Sequence, residues 1–332
     1  MYNAENYIGN CIESLLQQNL AEQDYEIIIM DDGSSDNSIT IVRNYAERFN
    51  NIRLYTEANA GAYSTRNKLL KLAKGDYIYN LDSDDYIIHN SLGNLLKIAQ
   101  EKKLDIIGFK TKETLLLDQT KLNESIEDCK IKISTGREFV SDNRNLRHEI
   151  WWYFIRKDFI ENNKMSFNNN EYNADVIFTL EALLEANKVG YMPIQIHRYV
   201  QTPNSLMRSS KFDILVKRIS YFQMMILNKS KLINEVKSKY APNEDRLISN
   251  LMYRRDIFTF FNILNLCRNP FSVKYIKRHI ESYKTVDAYP LYNFIGKEYN
   301  TIIYRTLIFI VNRPFLIYPV LRLKNSFIKP KL

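Results

Sequence analysis

The sequence predicts an α/β fold: a largely parallel sheet with helices on both faces, followed by a basic helical region. Three observations carry this. Short apolar runs alternate with helix-periodic segments up to residue 109, the pattern of strand–helix–strand units. Two of those runs end in acidic clusters, Asp31-Asp32-Gly33-Ser34-Ser35-Asp36 and Asp82-Ser83-Asp84-Asp85. The charge is also unevenly divided. Residues 1–204 hold 23 Lys+Arg against 30 Asp+Glu, and residues 205–332 hold 23 against 8, within a chain of net charge +8.

The elements follow in order. Ile8, Cys11, Ile12, Leu15 and Leu16 recur at helical spacing. A strand is expected over 25–30, then a helix lined by Ile39, Ile41, Val42, Tyr45, Ala46 and Phe49, then a short strand over 52–55. A helix over 63–74 stops at Gly75, a residue suited to a helix C-terminus. Strands over 77–81 and 104–109 flank a helix over 92–101. Residues 110–150 are polar and weakly periodic and read as a linker or insertion with some hairpin or helix. Order returns with the aromatic and apolar run Trp151–Arg156, a helix near 174–187 and an apolar stretch ending at Tyr199. From 212 the pattern is helical, aromatic and basic.

Carboxylates as close as Asp82, Asp84 and Asp85 repel one another wherever water is partly excluded. A hard divalent cation would relieve that repulsion and could hold a diphosphate, which points to a nucleotide-activated donor. The alternative for the same residues is a solvated turn that caps the next helix. The repetition of an acidic loop after two strands favours a site, because ligands of open α/β sheets bind at the carboxyl ends of strands.

Cys11, Cys129 and Cys267 follow no metal-ligand spacing, and the polar start carries no secretory signal, so an intracellular, reducing setting is expected. The basic second part suggests an anionic partner. It comes without a helix-turn-helix, zinc finger or RNA-binding signature, so no nucleic acid is expected and an anionic membrane surface is preferred, the alternative being that the basic helices are simply solvated. Thr301–Leu321 is apolar but contains Arg305, Arg313, Pro314 and Pro319. Two arginines are costly in a bilayer core. The expectation is therefore no membrane span, but either an interfacial segment or a buried helix.

The succession Tyr2-Asn3-Ala4-Glu5, Asp31–Asp36, Asn59-Ala60-Gly61 with Arg66-Asn67, Gly75-Asp76-Tyr77-Ile78 and Asp82-Ser83-Asp84-Asp85 resembles the family 2 glycosyltransferases. The resemblance is strong over 2–109, moderate over 150–206 and weak beyond 210. It implies the GT-A fold and an inverting, metal-dependent enzyme that uses a nucleotide-sugar, UDP by family preference, and a glycan or lipid-linked acceptor. Bacterial surface-polysaccharide assembly at the inner face of the membrane is the implied setting. Residues 1–109 would form the nucleotide-sugar-binding half and 110–210 the acceptor-binding, catalytic half. Residues 211–332 would form a basic helical region that contacts a membrane surface or the acceptor.

By the same resemblance Tyr2 packs on the donor base, Asp32 accepts from it with Asp31 alongside, and Gly61 and Arg66 lie near the ribose and diphosphate. Asp82 and Asp84 match the carboxylates for ribose and metal, with Asp84 the direct ligand to Mn²⁺ or Mg²⁺. Asp85 reads as a helix cap. Asp175 matches the general base, with Glu171 as an alternative. The family's usual Glu before it is Ala174 here. Trp151 and Trp152 look like the acceptor-side aromatic pair, although two tryptophans can equally be core. After Tyr199 the family's basic residues are replaced by Val200 and Thr202. Ser205 is retained, and His197 and Arg198 are candidates to substitute. The family's first strand, which precedes the Tyr-Asn pair, has no counterpart before Met1. Met1 is therefore expected to be an internal methionine of a longer protein. Two other readings remain open here: a non-catalytic glycan- or membrane-binding protein on this fold, and a nucleotidyltransferase.

Overall fold

A computed structural model describes residues 1–121, 129–169, 174–202, 211–240, 244–292 and 299–327. Glu171 and Ser205, singled out above, lie outside the described residues. The chain divides into two compact units, Met1–Phe139 with His148–Ser205, and Val140–Arg147 with Leu206–Leu332.

Through residue 200 the chain runs α1 (Ile8–Leu16), β1 (Ile27–Asp31), α2 (Ser38–Ala46), β2 (Ile52–Thr56), α3 (Ala62–Leu72), β3 (Tyr77–Tyr79), β4 (Tyr86–Ile87), α4 (Leu92–Lys102), β5 (Ile106–Thr114), β6 (Lys132–Ser134), α5 (Gly136–Asp142), β7 (Tyr153–Arg156), α6 (Lys157–Asn162), α7 (Ala174–Glu185) and β8 (Val189–Val200). This is the α/β architecture expected from the alternating pattern. β1 and β2 pair in parallel. A second sheet has the order β3-β7-β5-β8-β4, with β6 also on β8. There β5 and β8 are parallel, while β7 runs antiparallel to β3 and β5, and β4 and β6 run antiparallel to β8.

Two of the apolar clusters that hold this unit lie wholly among the described residues. Ile8 and Ile12 of α1, Ile29 of β1, Val42 of α2 and Ile52 of β2 form one. Leu95 and Ala99 of α4 meet Ile107, Phe109, Ile194 and Ile196 of the central strands in the other. Each such side chain contributes about 1.5–3 kcal/mol when fully buried. β1 and β3 are not hydrogen-bonded to one another. Ile27 and Ile29 on one side and Tyr77 and Tyr79 on the other line a cavity of about 520 Å³. The Met1 ammonium donates to Met30 O (2.8 Å) and Asp32 N donates to Met1 O (2.9 Å), so the first residue runs beside the end of β1.

The second unit is helical: α8 (Phe212–Tyr240), α9 (Asp245–Arg268), α10 (Val273–Lys284), α11 (Ile302–Val311) and α12 (Pro314–Phe327). Phe260, Ile263, Phe271, Ile280 and Tyr283 are fully buried at its centre. Val140–Arg147 joins this unit through Asn250 Nδ2, which donates to Val140 O and Ser141 O (3.2 and 2.6 Å), and through Arg144, whose guanidinium lies 3.5 Å from the Tyr253 ring centroid. Ser272 Oγ accepts from Tyr275 N (3.2 Å) and caps α10. Among the described residues no single helix is long and apolar enough to cross a membrane; α11 and α12 meet at a bend of 89°.

Candidate active site

The first motif works by tying the chain around Tyr2 to the loop after β1. Asn3 N donates to Ser34 Oγ (2.9 Å), Ala4 N to Ser38 Oγ (2.8 Å) and Glu5 N to Asp36 Oδ2 (3.0 Å), while Asn3 Oδ1 accepts from Ser35 N (2.8 Å). Tyr2 stands immediately before these anchors with its side chain exposed (54 %). An aromatic face held open by a fixed backbone suits a flat heterocycle.

Asp31 and Asp32 have different tasks. Asp31 is buried and its Oδ2 accepts from Gly33 N (3.2 Å) and Ser34 N (3.0 Å), so it shapes the turn and does not line the cavity. Asp32 does line it. Its two oxygens accept from Ala60 N (2.6 Å) and Gly61 N (3.1 Å), which pins the Asn59–Gly61 loop against β1. Gly61 sits at φ +86°, a backbone that L side chains resist, immediately before α3.

α3 carries the centre of the site. Tyr63 and Arg66 are three residues apart and share a helix face. Arg66 Nη2 donates to Asp82 Oδ1 at 2.5 Å, and Tyr63 Oη donates to Asp175 Oδ1 at 2.7 Å. The guanidinium lies 5.5 Å from the Tyr63 ring centroid. One helix face thus links the acidic loop after β3 to the first turn of α7. Asn67, on the same face, fixes the segment ahead of α7: its Nδ2 donates to Phe167 O (2.7 Å) and its Oδ1 accepts from Phe167 N (2.8 Å). Phe167 stacks on Tyr63 and Phe178, with centroids 6.0 and 4.4 Å apart. Sequence reasoning missed Tyr63 and the bracing role of Asn67. Their positions three before and one after Arg66 on a helix are the signal that points to them.

Asp175 is partly buried at the start of α7. Burial raises its carboxyl above the usual range, with further push from Asp82 and Glu149, against the opposing effects of Arg66 and the Tyr63 hydroxyl. Burial lowers the Arg66 guanidinium, but Asp82, Asp175 and Tyr63 outweigh it and hold the cation charged.

Asp82 and Asp84 line the same cavity as Tyr2, Asp32 and Arg66. The fold family implies a divalent cation here, and the donor set fits one. Among the described residues no group of three or more His, Cys, Asp or Glu side chains is arranged around one point, and Asp82 and Asp84 are the two acidic-loop carboxylates that line the cavity. Mg²⁺ and Mn²⁺ sites commonly use one or two carboxylates, with phosphate oxygens and water completing the shell. The Asp82 side chain is 36 % exposed and already faces a cation, Arg66.

Several expectations are corrected. Asp85 does not cap the next helix. Gln18 Oε1 takes that role, accepting from Ser91 N and Leu92 N (both 2.9 Å) at the start of α4. Asp85 turns inward, accepts from Val200 N (2.8 Å) and lies 3.2 Å from His197 Nε2. His197 and Arg198 are buried and so cannot replace the missing basic residues after Tyr199. Arg198 instead donates to the carbonyls of Gln119 and Gln195 (3.0 and 2.6 Å). Trp151 and Trp152 are core, 5 % and 2 % exposed. Trp151 stacks on His197 and Tyr199 (4.7 and 5.6 Å), and Trp152 packs against Phe139 and Tyr191 (6.2 and 6.3 Å), so neither offers an open face to a sugar.

Burial, then the nearby Asp82, pushes the Asp85 carboxyl up to about 8, against the Val200 hydrogen bond. Between the ordinary carboxylate value and about 8, the folded chain keeps a proton on Asp85 that the unfolded chain has lost. Its contribution therefore makes stability fall as pH rises through that window. Asp85→Asn is expected to flatten the dependence by roughly 1 kcal/mol per pH unit. Urea unfolding of both proteins between about pH 5 and about pH 8 checks it; parallel curves would contradict it.

A model for "Glycosyl transferase family 2" matches residues 1–163. The uncharacterized glycosyltransferase EpsJ of Bacillus subtilis strain 168 is 29 % identical over 294 residues, covering 86 % of this chain and 82 % of its own. The Staphylococcus aureus (strain MW2) poly(ribitol-phosphate) beta-N-acetylglucosaminyltransferase TarS is 24 % identical over 269 residues, 80 % of this chain and 44 % of its own. The structure of S. aureus TarS 1-349 in complex with UDP-GlcNAc superposes with a TM-score of 0.55 at 20 % identity, covering 86 % of this chain and 88 % of that one. The mannosyltransferase PcManGT of Pyrobaculum calidifontis, in complex with GDP-Man and Mn²⁺, superposes with a TM-score of 0.56 at 15 % identity over 99 % of this chain and 86 % of that one. The motif order, the α/β architecture and these matches converge: residues 1–163 belong to glycosyl transferase family 2, and the chain has the GT-A fold.

Proposed function

We propose that the protein is an inverting, metal-dependent transferase that moves a sugar from a UDP-sugar to a glycan or lipid-linked acceptor in cell-surface polysaccharide synthesis, at the cytoplasmic face of the membrane. The observation that carries this reading is the α3 bridge, with Arg66 on Asp82 and Tyr63 on Asp175. It gathers a donor-side carboxylate, a phosphate-binding cation and a base of raised basicity into one constellation. UDP is preferred because TarS binds UDP-GlcNAc, and the polymeric acceptor because TarS acts on poly(ribitol-phosphate).

In this reading the exposed ring of Tyr2 stacks on the base of the donor, and Asp32 accepts from the nucleoside with lone pairs that its loop bonds leave open. Arg66 offers its guanidinium fork to the diphosphate. Asp84, with Asp82, would hold Mn²⁺ or Mg²⁺, which when bound neutralises charge on the departing diphosphate. Asp175 takes the proton of the acceptor hydroxyl as its oxygen attacks the anomeric carbon from the side opposite the leaving group. The oxygen–carbon bond forms, the bond from anomeric carbon to phosphate oxygen breaks, and the nucleoside diphosphate leaves. The Tyr63 hydrogen bond keeps Asp175 aimed. With alanine at 174, Asp175 works without the acidic neighbour usual in the family.

The test is release of free UDP from UDP-glucose and UDP-GlcNAc by the purified chain, with Mn²⁺ and with chelator, and with ribitol-phosphate oligomers as acceptor. Metal-dependent release is expected. If no UDP-sugar turns over while the protein still binds glycans, the non-catalytic reading replaces this one.

A further inference from the structure

α12 carries two apolar stripes, and only one of them faces the core. Ile317 and Leu321, 6 % and 4 % exposed, turn inward. Leu316, Val320, Leu323 and Phe327, at successive spacings of four, three and four residues, line another face of the helix with exposures of 36, 66, 63 and 81 %. Phe315 is 69 % exposed beside them. α11 adds Ile302, Ile303 and Phe309, exposed at 82, 67 and 52 %. Large apolar residues scattered singly on a surface need no explanation, but a row of them at helical spacing marks an interaction face.

The charge of the segment says what that face meets. Residues 299–332 contain six Lys+Arg and no Asp or Glu. Arg313 lies against the ring of Phe309, 3.6 Å from its centroid, and donates to Phe309 O (3.1 Å). Arg322 is exposed one residue before Leu323, and Arg305 is exposed on α11. A second copy of the chain would bring arginines against arginines, and such like-charge apposition is costly. An anionic lipid surface answers both halves of the face at once, with acyl chains for the apolar row and headgroup phosphates for the guanidinium groups. Neither helix is long and apolar enough to span a bilayer alone, and the bend of 89° between them turns the pair aside from one continuous path.

We infer that the exposed faces of α11 and α12 form a docking surface for an anionic membrane. The helices lie in the plane of the interface, with Val320, Leu323 and Phe327 inserted and Arg305, Arg313 and Arg322 at headgroup level. This goes beyond the transferase reading and does not depend on it, because it rests on these two helices alone.

The test is co-sedimentation of the full chain with vesicles of phosphatidylcholine alone and of phosphatidylcholine with about a third phosphatidylglycerol. The chain is expected to bind only the anionic vesicles, and less as salt rises. The triple variant Val320→Ser, Leu323→Ser, Phe327→Ser, altered only at exposed positions, should lose binding by about tenfold or more. Arg305→Gln with Arg322→Gln should weaken binding and reduce its salt dependence. Leu115→Ser, at an exposed apolar residue outside the two helices, should bind as the parent does. The inference is overturned if the parent chain ignores anionic vesicles or the triple variant still binds them fully. It is also overturned if light scattering shows that the triple variant breaks an oligomer while vesicle binding is unchanged.

Discussion

Asp175→Asn is expected to lower turnover by a factor of about 10² to 10⁴ while leaving donor affinity unchanged, because a positioned general base contributes on that scale. The substitution nearly conserves shape and leaves an oxygen to accept from the Tyr63 hydroxyl, so the α3 bridge stays in place. A companion variant separates basicity from geometry. The Tyr63 hydrogen bond lowers the Asp175 pKa, whereas burial raises it. Tyr63→Phe therefore raises that pKa further and removes the ionised base over a wider acidic range. The acid limb of the kcat profile should move to higher pH, and activity at the alkaline plateau should fall much less than in Asp175→Asn. A pH-independent loss in Tyr63→Phe would show that the tyrosine only holds the fold. An Asp175→Asn variant of near-normal turnover would move the base elsewhere.

Trp152→Ala is expected to cost about 3–5 kcal/mol of stability, the range for deleting a buried tryptophan or phenylalanine. The ring fills a space shaped for it. A Cβ added at Gly108 would stand 2.3 Å from Trp152 Cζ3, so β5 approaches the indole as closely as only glycine permits. Gly108→Ala should accordingly force the ring out of place and destabilise by about 1–3 kcal/mol through overpacking. Urea unfolding measures both. A Trp152→Ala protein that unfolds at the parent midpoint, with acceptor affinity alone reduced, would restore the tryptophan to the acceptor side.

What was legible in the sequence follows from how strongly local pattern constrains local structure. α1 and α4 announce themselves because Ile8, Cys11 and Ile12, or Leu92, Leu95 and Ala99, repeat at the helical period and are buried where that period places them. β4 has two residues, too few to show alternation, and α6 is a single short helix after β7. Neither carries a period that sequence can display. The acidic loops could be read from sequence as a candidate site, but the division of labour within them could not. Asp31 and Asp32 are adjacent and chemically identical; only the tertiary fold puts the amides of Gly33 and Ser34 before one and those of Ala60 and Gly61 before the other. Asp85 and His197 are far apart in the chain and meet only because β4 pairs with β8. The tryptophan pair shows the limit from the other side, since an indole suits a sugar face and a core equally well and burial alone decides.

In the proposed function Asp84 and Asp82, with Arg66 and Tyr2, make a metal-dependent nucleotide site. Calorimetric titration of UDP into the protein tests it most directly, run with Mn²⁺, with chelator, with GDP in place of UDP, and with Asp84→Asn. The account predicts UDP binding that requires the metal and is lost in Asp84→Asn. UDP binding of equal strength with chelator and in Asp84→Asn, or no nucleotide binding under any of these conditions, would contradict it.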